Sequence, residues 1–354
     1  MERPAPWGHD NGCPRRHAFV TLARTARVAL PTLLAAVLLV VVLPRTSGGH
    51  WTTIGAALRP VSPGVVAGLA VVWLIGLVAH MLVLTAALPG LTVRRGLLMS
   101  LTGSAVSNVL PMGGAAGTAL NYSMARRWGH SRSAFVAFSV ISHVWGLLAK
   151  LAMPLLALGA VLVTGRSPGL LLIPAILAAV TLAGLGITAW TVVVRESAAL
   201  AMARRIEYLI GRAGRRVVHL EAPTRALRVQ VIAMTRRDWR RPAVGMLAYF
   251  TLQAVLLWLC LITVGAVIGP VQMFAVYAVE RLLSVVVLTP GGLGVVEVTT
   301  TAMVAAAGVA PPLAAAGVVL YRAFTYALEI PVGAALLVGW IALRRRALPA
   351  AGVA

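Results

Sequence analysis

Acidic side chains are nearly missing from this chain: Asp and Glu total nine in 354 residues, and the only aspartates are Asp10 and Asp238. Both aspartates lie in polar stretches outside any apolar run, so enzymes that hold divalent metals on Asp-rich motifs are disfavoured at once. Charge as a whole is scarce. Charged residues make up 11% of the chain and hydrophobic ones 60%, with a mean hydropathy of +0.90; soluble domains carry roughly 25% charge, so a water-soluble fold is excluded. Cysteine is limited to Cys13 in a polar tail and Cys260 in an apolar run, which implies no disulfide framework. His9, Cys13 and His17 have a four-residue spacing that suits zinc, but Pro4, Pro6, Gly8, Gly12 and Pro14 leave no regular helix to align them. Strand alternation, coiled-coil heptads, a P-loop and a serine nucleophile elbow are all missing.

What is present is arginine. Lys and Arg total 31, Lys150 being the single lysine, and the net charge is +22. Together with the Ala, Val and Gly content, this points to a GC-rich bacterial genome. The cations sit in loops between apolar runs, as the topology of a multi-pass protein on an anionic bilayer requires, and no module for stacking bases accompanies them; a nucleic-acid partner is not expected.

A span needs about 20 apolar residues. Val28–Leu43, Gly64–Leu88, Ser133–Val163, Leu170–Val194, Ala243–Ile268 and Leu313–Leu343 are read as crossings. The first is short enough for a signal-peptide core, but Pro44-Arg45 follows it rather than a small-residue cleavage site. Residues 1–25 form a polar tail, 26–345 the membrane domain and 346–354 a second tail. The segment 195–242 holds twelve Arg against four acids. Within it Leu200, Ile206, Leu209, Ile210, Ala213 and Val217 oppose Arg204, Arg205, Arg212 and Arg216, the pattern of a helix lying on the inner membrane surface. The positive-inside bias places this segment and both termini in the cytoplasm of a bacterial inner-membrane protein.

Two further stretches cannot cross. Arg94-Arg95 and Arg126 to Arg132 both belong on the cytoplasmic face, so the apolar segment between them enters and leaves on one side; 271–310 does the same from the opposite side. Each carries a helix-breaking centre: Asn108-Val-Leu-Pro111-Met-Gly113-Gly114 in the first, and Val287-Leu-Thr-Pro290-Gly291-Gly292 in the second. Broken backbone at membrane depth must be buried in protein or lie beside water. Such interruptions in two oppositely oriented halves point to a transport site near the midplane. The fold expected is all-α: a polytopic bundle of about six full spans with two inverted re-entrant helical hairpins.

Ionisable groups inside the apolar runs are expensive, about 2.5–3.5 kcal/mol each at the bilayer centre, and mark function by default. Ser139, His143, Gly146 and Lys150 make one polar stripe, and Arg322, Thr325, Tyr326 and Glu329 a second. Glu280, Arg281 and Glu297 lie in the second hairpin. Adjacent residues do not face each other on a helix, so Glu280 and Arg281 are each expected to pair elsewhere; Arg281–Glu329 and Arg322–Glu297 are the pairs considered. Glu297 is also placed to cap the half-helix that follows Gly292. Arg281, Arg322 and Lys150 are the candidates for binding a lipid phosphate, with Glu297, Glu329 and Glu280 as counter-charges or proton carriers. No cofactor or metal is implied.

Pro290-Gly-Gly-Leu-Gly-Val-Val-Glu297, then Gly308-Val309, Ala315 and Arg322, resembles the C-terminal signature of the lysylphosphatidylglycerol synthase transmembrane-region family, whose flippase-like members share a domain with multiple peptide resistance factors. Asn108-Val-Leu-Pro111 with Gly113-Gly114, followed by Arg126-Arg127-Trp-Gly129-His-Ser131, resembles its first motif, and the similarity extends over roughly 20–345. Where the family often has Arg before the motif Glu, this chain has Val296; where Arg commonly follows the first glycines, it has Ala115-Ala116 and later Asn121-Tyr122. The family's lipid specificity therefore does not carry over. Full-length synthases bear a soluble aminoacyl-transferase domain after the membrane region, and here nine residues follow Arg345. The resemblance thus implies a flippase-like protein that binds or translocates an anionic lipid and is not itself a lipid synthase. The alternatives are a membrane glycosyl- or head-group transferase acting on a polyprenyl phosphate, and a non-catalytic partner of a separately encoded lipid-modifying enzyme.

Overall fold

Helix starts in this chain are set by short polar side chains placed just ahead of apolar runs. Ser62 accepts the Val65 amide at 3.4 Å, Thr92 that of Arg95 at 3.3 Å and Ser131 that of Ala134 at 3.1 Å, each satisfying a donor the helix itself leaves open. The computed structural model describes residues 33–46, 50–110, 113–165, 167, 169–212, 220–285 and 292–346. Pro111, Pro290 and Gly291, the tail 1–25 with its His9, Cys13 and His17, and the tail residues 347–354 lie outside them.

All regular structure among the described residues is helical. Helix α1 covers 33–46 with a π-turn at Leu38–Val42, and α2 is Trp51–Leu58. Then come α3 Pro63–Ala87, α4 Val93–Val109, α5 Gly113–Arg127, α6 Arg132–Val163 and α7 Leu172–Val194. The basic segment forms α8 Glu196–Arg212 and α9 Glu221–Asp238. The chain continues with α10 Arg240–Thr263, α11 Pro270–Leu283, α12 Val295–Ala306 and α13 Pro311–Arg322, which runs through a π-turn at Ala323–Ala327 into α14 Glu329–Arg346.

Four of these units are long and apolar enough to cross a membrane: α3, α6, α10 and the continuous stretch Pro311–Leu343; α1, α7 and α12 are shorter apolar helices. The chain is a helical membrane protein. Its core is built where α10 lies along α3, α14 along α4, and α4 against α5. Glycine sets the closeness of these crossings. A Cβ on Gly245 of α10 would stand 2.7 Å from Leu82 Cβ, and one on Gly333 of α14 would stand 2.6 Å from Ala105 Cβ.

The short helices α4 and α5 fold back on one another. Gly103 and Gly117 face each other across the pair, and an added Cβ at Gly117 would come within 2.6 Å of the Gly103 carbonyl oxygen. Helices α11 and α12 also pack together. Gly292 and Gly294, just before α12, have φ of +72° and +83°, which an L side chain rarely adopts. Gly294 is doubly constrained, because it also abuts Leu38 and Ala35 of α1.

On the basic segment, α8 and α9 are tied by ion pairs, Arg204–Glu221 at 3.6 Å and Arg225 and the half-buried Arg228 to Glu196 at 3.3 and 3.5 Å. Ile206 and Leu209 of α8 remain exposed. Of the expected amphipathic face, Ala213 and Val217 with Arg216 fall outside the described residues.

Candidate functional site

The back-folded α4–α5 pair leaves a gap against α3, α6 and α10, and α11 closes its end. The result is a cavity of about 620 Å³. Polar side chains converge on it from every wall: Ser100, Ser104, Ser107 and Asn108 from α4, Thr118 and Asn121 from α5, Ser142, His143 and Lys150 from α6. His80 of α3, Tyr249 of α10 and Arg281 of α11 complete it. A polar chamber of this size between otherwise apolar helices has the character of a ligand site.

Lys150 has no hydrogen-bond or ion-pair partner among the described residues, although it lies in the electrostatic reach of Arg281 and Glu280. The backbone beside it is also open. Pro154 has no N–H to offer the Lys150 carbonyl one turn back, so that acceptor has lost its helical partner. Arg281 is 8% exposed and Glu280 1%. Against the expectation that neighbours cannot pair, the Arg281 guanidinium wraps back onto the Glu280 carboxylate through Nε and Nη2. The flexible arginine stem spans the angle between successive helical positions, so the guanidinium reaches back to its neighbour. Arg281 Nη2 also donates to Tyr321 Oη at 3.0 Å, and its guanidinium stands 5.3 Å from the Tyr277 ring centroid.

Arg322 takes a different place. Its Nε donates to Glu297 Oε1 at 2.6 Å, and its guanidinium lies 5.1 Å from the Tyr326 ring. Glu297 Oε2 accepts the Gly294 amide at 2.6 Å, so one carboxylate caps α12 and holds the arginine. This is the Arg322–Glu297 alternative of the two pairings considered. Arg322, Glu280, Glu297 and Glu329 are not among the residues lining the cavity. Tyr326 Oη donates to the Asn108 carbonyl at 2.7 Å, and Glu329 lies near Ser104. On the last long helix, then, Tyr326 and Glu329 face α4, Arg322 faces α12, and Thr325 Oγ1 donates within its own helix to the Tyr321 carbonyl.

Of the glycines expected at the helix breaks, Gly113 and Gly114 open α5 and Gly292 precedes α12. Gly114 lines the cavity and Gly113 packs on the Ser107 backbone. Several contributors were not singled out from sequence. Ser100, Ser104 and Ser107 share a helix face by their spacing, a signal that was readable once α4 was known to be helical. Tyr249, which stacks on His80 with centroids 4.7 Å apart and accepts from Gln253 Nε2 at 3.1 Å, and Tyr321 gave no such pattern. Asn121 Oδ1 is buried without a hydrogen-bond partner. Among the described residues no three His, Cys, Asp or Glu side chains gather as a metal set.

Residues 28–333 match the family described as lysylphosphatidylglycerol synthase TM region, and the chain belongs to that family. No curated protein matches it.

Proposed function

We propose that this member of the family receives the phosphate-bearing head group of an anionic lipid in the chamber and moves it between leaflets of a bacterial inner membrane. The observation that carries the reading is Lys150, an unpaired ammonium facing a polar cavity beside the Arg281 guanidinium. A phosphate oxygen offers both cations a partner, Arg as a planar fork and Lys as a point charge. The Ser100 hydroxyl suits a further phosphate oxygen, and the unpartnered Asn121 oxygen a head-group hydroxyl. Lipid tails would stay in the surrounding hydrocarbon.

In this reading α1, α3, α6, α7, α10 and α13–α14 cross the membrane, while α4–α5 and α11–α12 are hairpins that enter from opposite faces. The basic face, with both termini, is cytoplasmic. Arg322 and Glu297 hold α12 to the last helix and do not contact lipid, whereas Glu329 and Glu280 balance the charges behind the chamber wall. Glu280 is engaged by Arg281, and Glu297 by Arg322 and the Gly294 amide.

The test is lipid exchange in vesicles holding the purified protein and a fluorescent phosphatidylglycerol, read by quenching from outside. Lys150→Gln leaves no buried group orphaned and is expected to slow exchange about tenfold, the worth of one charged hydrogen bond, with the folded fraction unchanged. Wild-type exchange rates in that variant would reject the phosphate role.

A further inference from the structure

A second cavity, of about 470 Å³, lies toward the basic face, where α9 packs against α3, α6 and the start of α10. Its composition is two-sided. The inner wall is apolar, made by residues such as Ala87, Ala137 and Ile141, while Arg237 and Arg241 stand at the rim with Asp238. Arg241 is fixed over the opening: Nη2 donates to Thr85 Oγ1 at 3.3 Å, and its own amide donates to Asp238 Oδ1, also at 3.3 Å. Gln230 Oε1 is buried in this wall with no hydrogen-bond partner.

The position matters as much as the lining. The same three long helices build both cavities: Thr85 and Ile141 in this one are next along the chain to Leu84 and Ser142 in the chamber, and Arg241 precedes the chamber's Met246 on α10. We infer that the second cavity is an antechamber that binds a phosphodiester amphiphile from the basic-face leaflet and hands it to the central chamber. The Arg237 and Arg241 guanidinium groups take the phosphate, the apolar wall takes the glycerol and first methylenes, and the Gln230 oxygen accepts from a head-group hydroxyl. An apolar wall under a cationic rim suits an amphiphile better than a free anion, which would have no use for the wall. The handing-over role rests on the central chamber binding lipid; occupancy of the antechamber does not.

Photolabelling separates the two. The full chain is placed in phosphatidylcholine vesicles carrying a minor fraction of phosphatidylglycerol with a diazirine near its glycerol, irradiated, and the labelled peptides identified. Label is expected on 134–141 and 230–241 as well as on 142–150. Arg237→Gln combined with Arg241→Gln lowers label on the first two about tenfold. Ala233→Trp does the same by filling the cavity from the exposed side of α9, and it decides the matter where the double variant fails to fold. Label confined to 142–150 overturns the antechamber and leaves the central site standing. Label confined to 134–141 and 230–241 overturns the central reading, and with it the handing-over. Inorganic phosphate displacing the label as well as unlabelled phosphatidylglycerol does would identify a free-anion site and overturn the lipid assignment.

Discussion

Glu297 divides its carboxylate between two tasks: one oxygen caps the amide of Gly294 at 2.6 Å and the other holds Arg322 Nε at 2.6 Å. Both partners are fixed by their own helices, so the contact joins the start of α12 to the last long helix at one point. Removing one member of a buried pair strands the other, at about 3–5 kcal/mol. Glu297→Ala is expected to fall in that range and Arg322→Met below it, because the glutamate would still cap α12. Unfolding midpoints in detergent give the comparison; equal losses would show that the cap contributes nothing.

Two tyrosines permit a cleaner subtraction. Tyr326→Phe removes only the donor to the Asn108 carbonyl and is expected to cost about 1 kcal/mol, the usual net worth of a neutral hydrogen bond. Tyr321→Phe removes an acceptor from the Arg281 guanidinium and is expected to cost about 1.5–3 kcal/mol. The order of the two, measured in the same denaturation assay, is the result that matters.

Within α5, glycines three residues apart should respond oppositely. An added Cβ at Gly114 meets nothing within 4 Å, so Gly114→Ala is expected to be neutral or to gain up to about 1 kcal/mol in helix propensity. At Gly117 the same methyl would press on Ser107 and the Gly103 carbonyl, and Gly117→Ala is expected to lose about 1–3 kcal/mol. A tolerated Gly117→Ala would mean that α4 and α5 lie further apart than described.

His130, in the loop between α5 and α6, has its pKa lowered from the ordinary 6.5, first by burial and then by the charge of Arg95. The folded protein therefore resists protonation where the unfolded chain accepts it. Its contribution is unaffected above that ordinary value and becomes a growing loss of stability as pH falls below it, until the folded form also takes up the proton. His130→Gln is expected to flatten the acid side of a midpoint-against-pH curve and leave the neutral side in place.

The long elements were legible because hydropathy and capping agree. The run read as Gly64–Leu88 is the helix Pro63–Ala87, that read as Ser133–Val163 is Arg132–Val163, and Ser62 and Ser131 begin each as their side-chain chemistry requires. The charged stripe on the last helix was legible too, but of the two pairings it left open the structure forms Arg322–Glu297 and not Arg281–Glu329. What sequence did not give was the choice made by flexible side chains. Arg281 turned to its neighbour Glu280, since the rule about facing positions describes where Cβ atoms point and not how far a guanidinium reaches. Nor did it show which cations share a space: Lys150 and Arg281 line the chamber and Arg322 does not, a difference set by how helices remote in sequence cross.

The π-turn at Ala323–Ala327 gives the last long helix one residue more than an ordinary α-helical path would use. Each residue turns a helix by about 100°, so that surplus residue sets the azimuth of everything after it. Excising a single residue from the turn would swing Glu329 away from Ser104 and Gly333 away from its seat against Leu101 and Ala105, although no contacting side chain had been altered. The register of the closing helix, and through it the back of the chamber, thus depends on one supernumerary peptide unit.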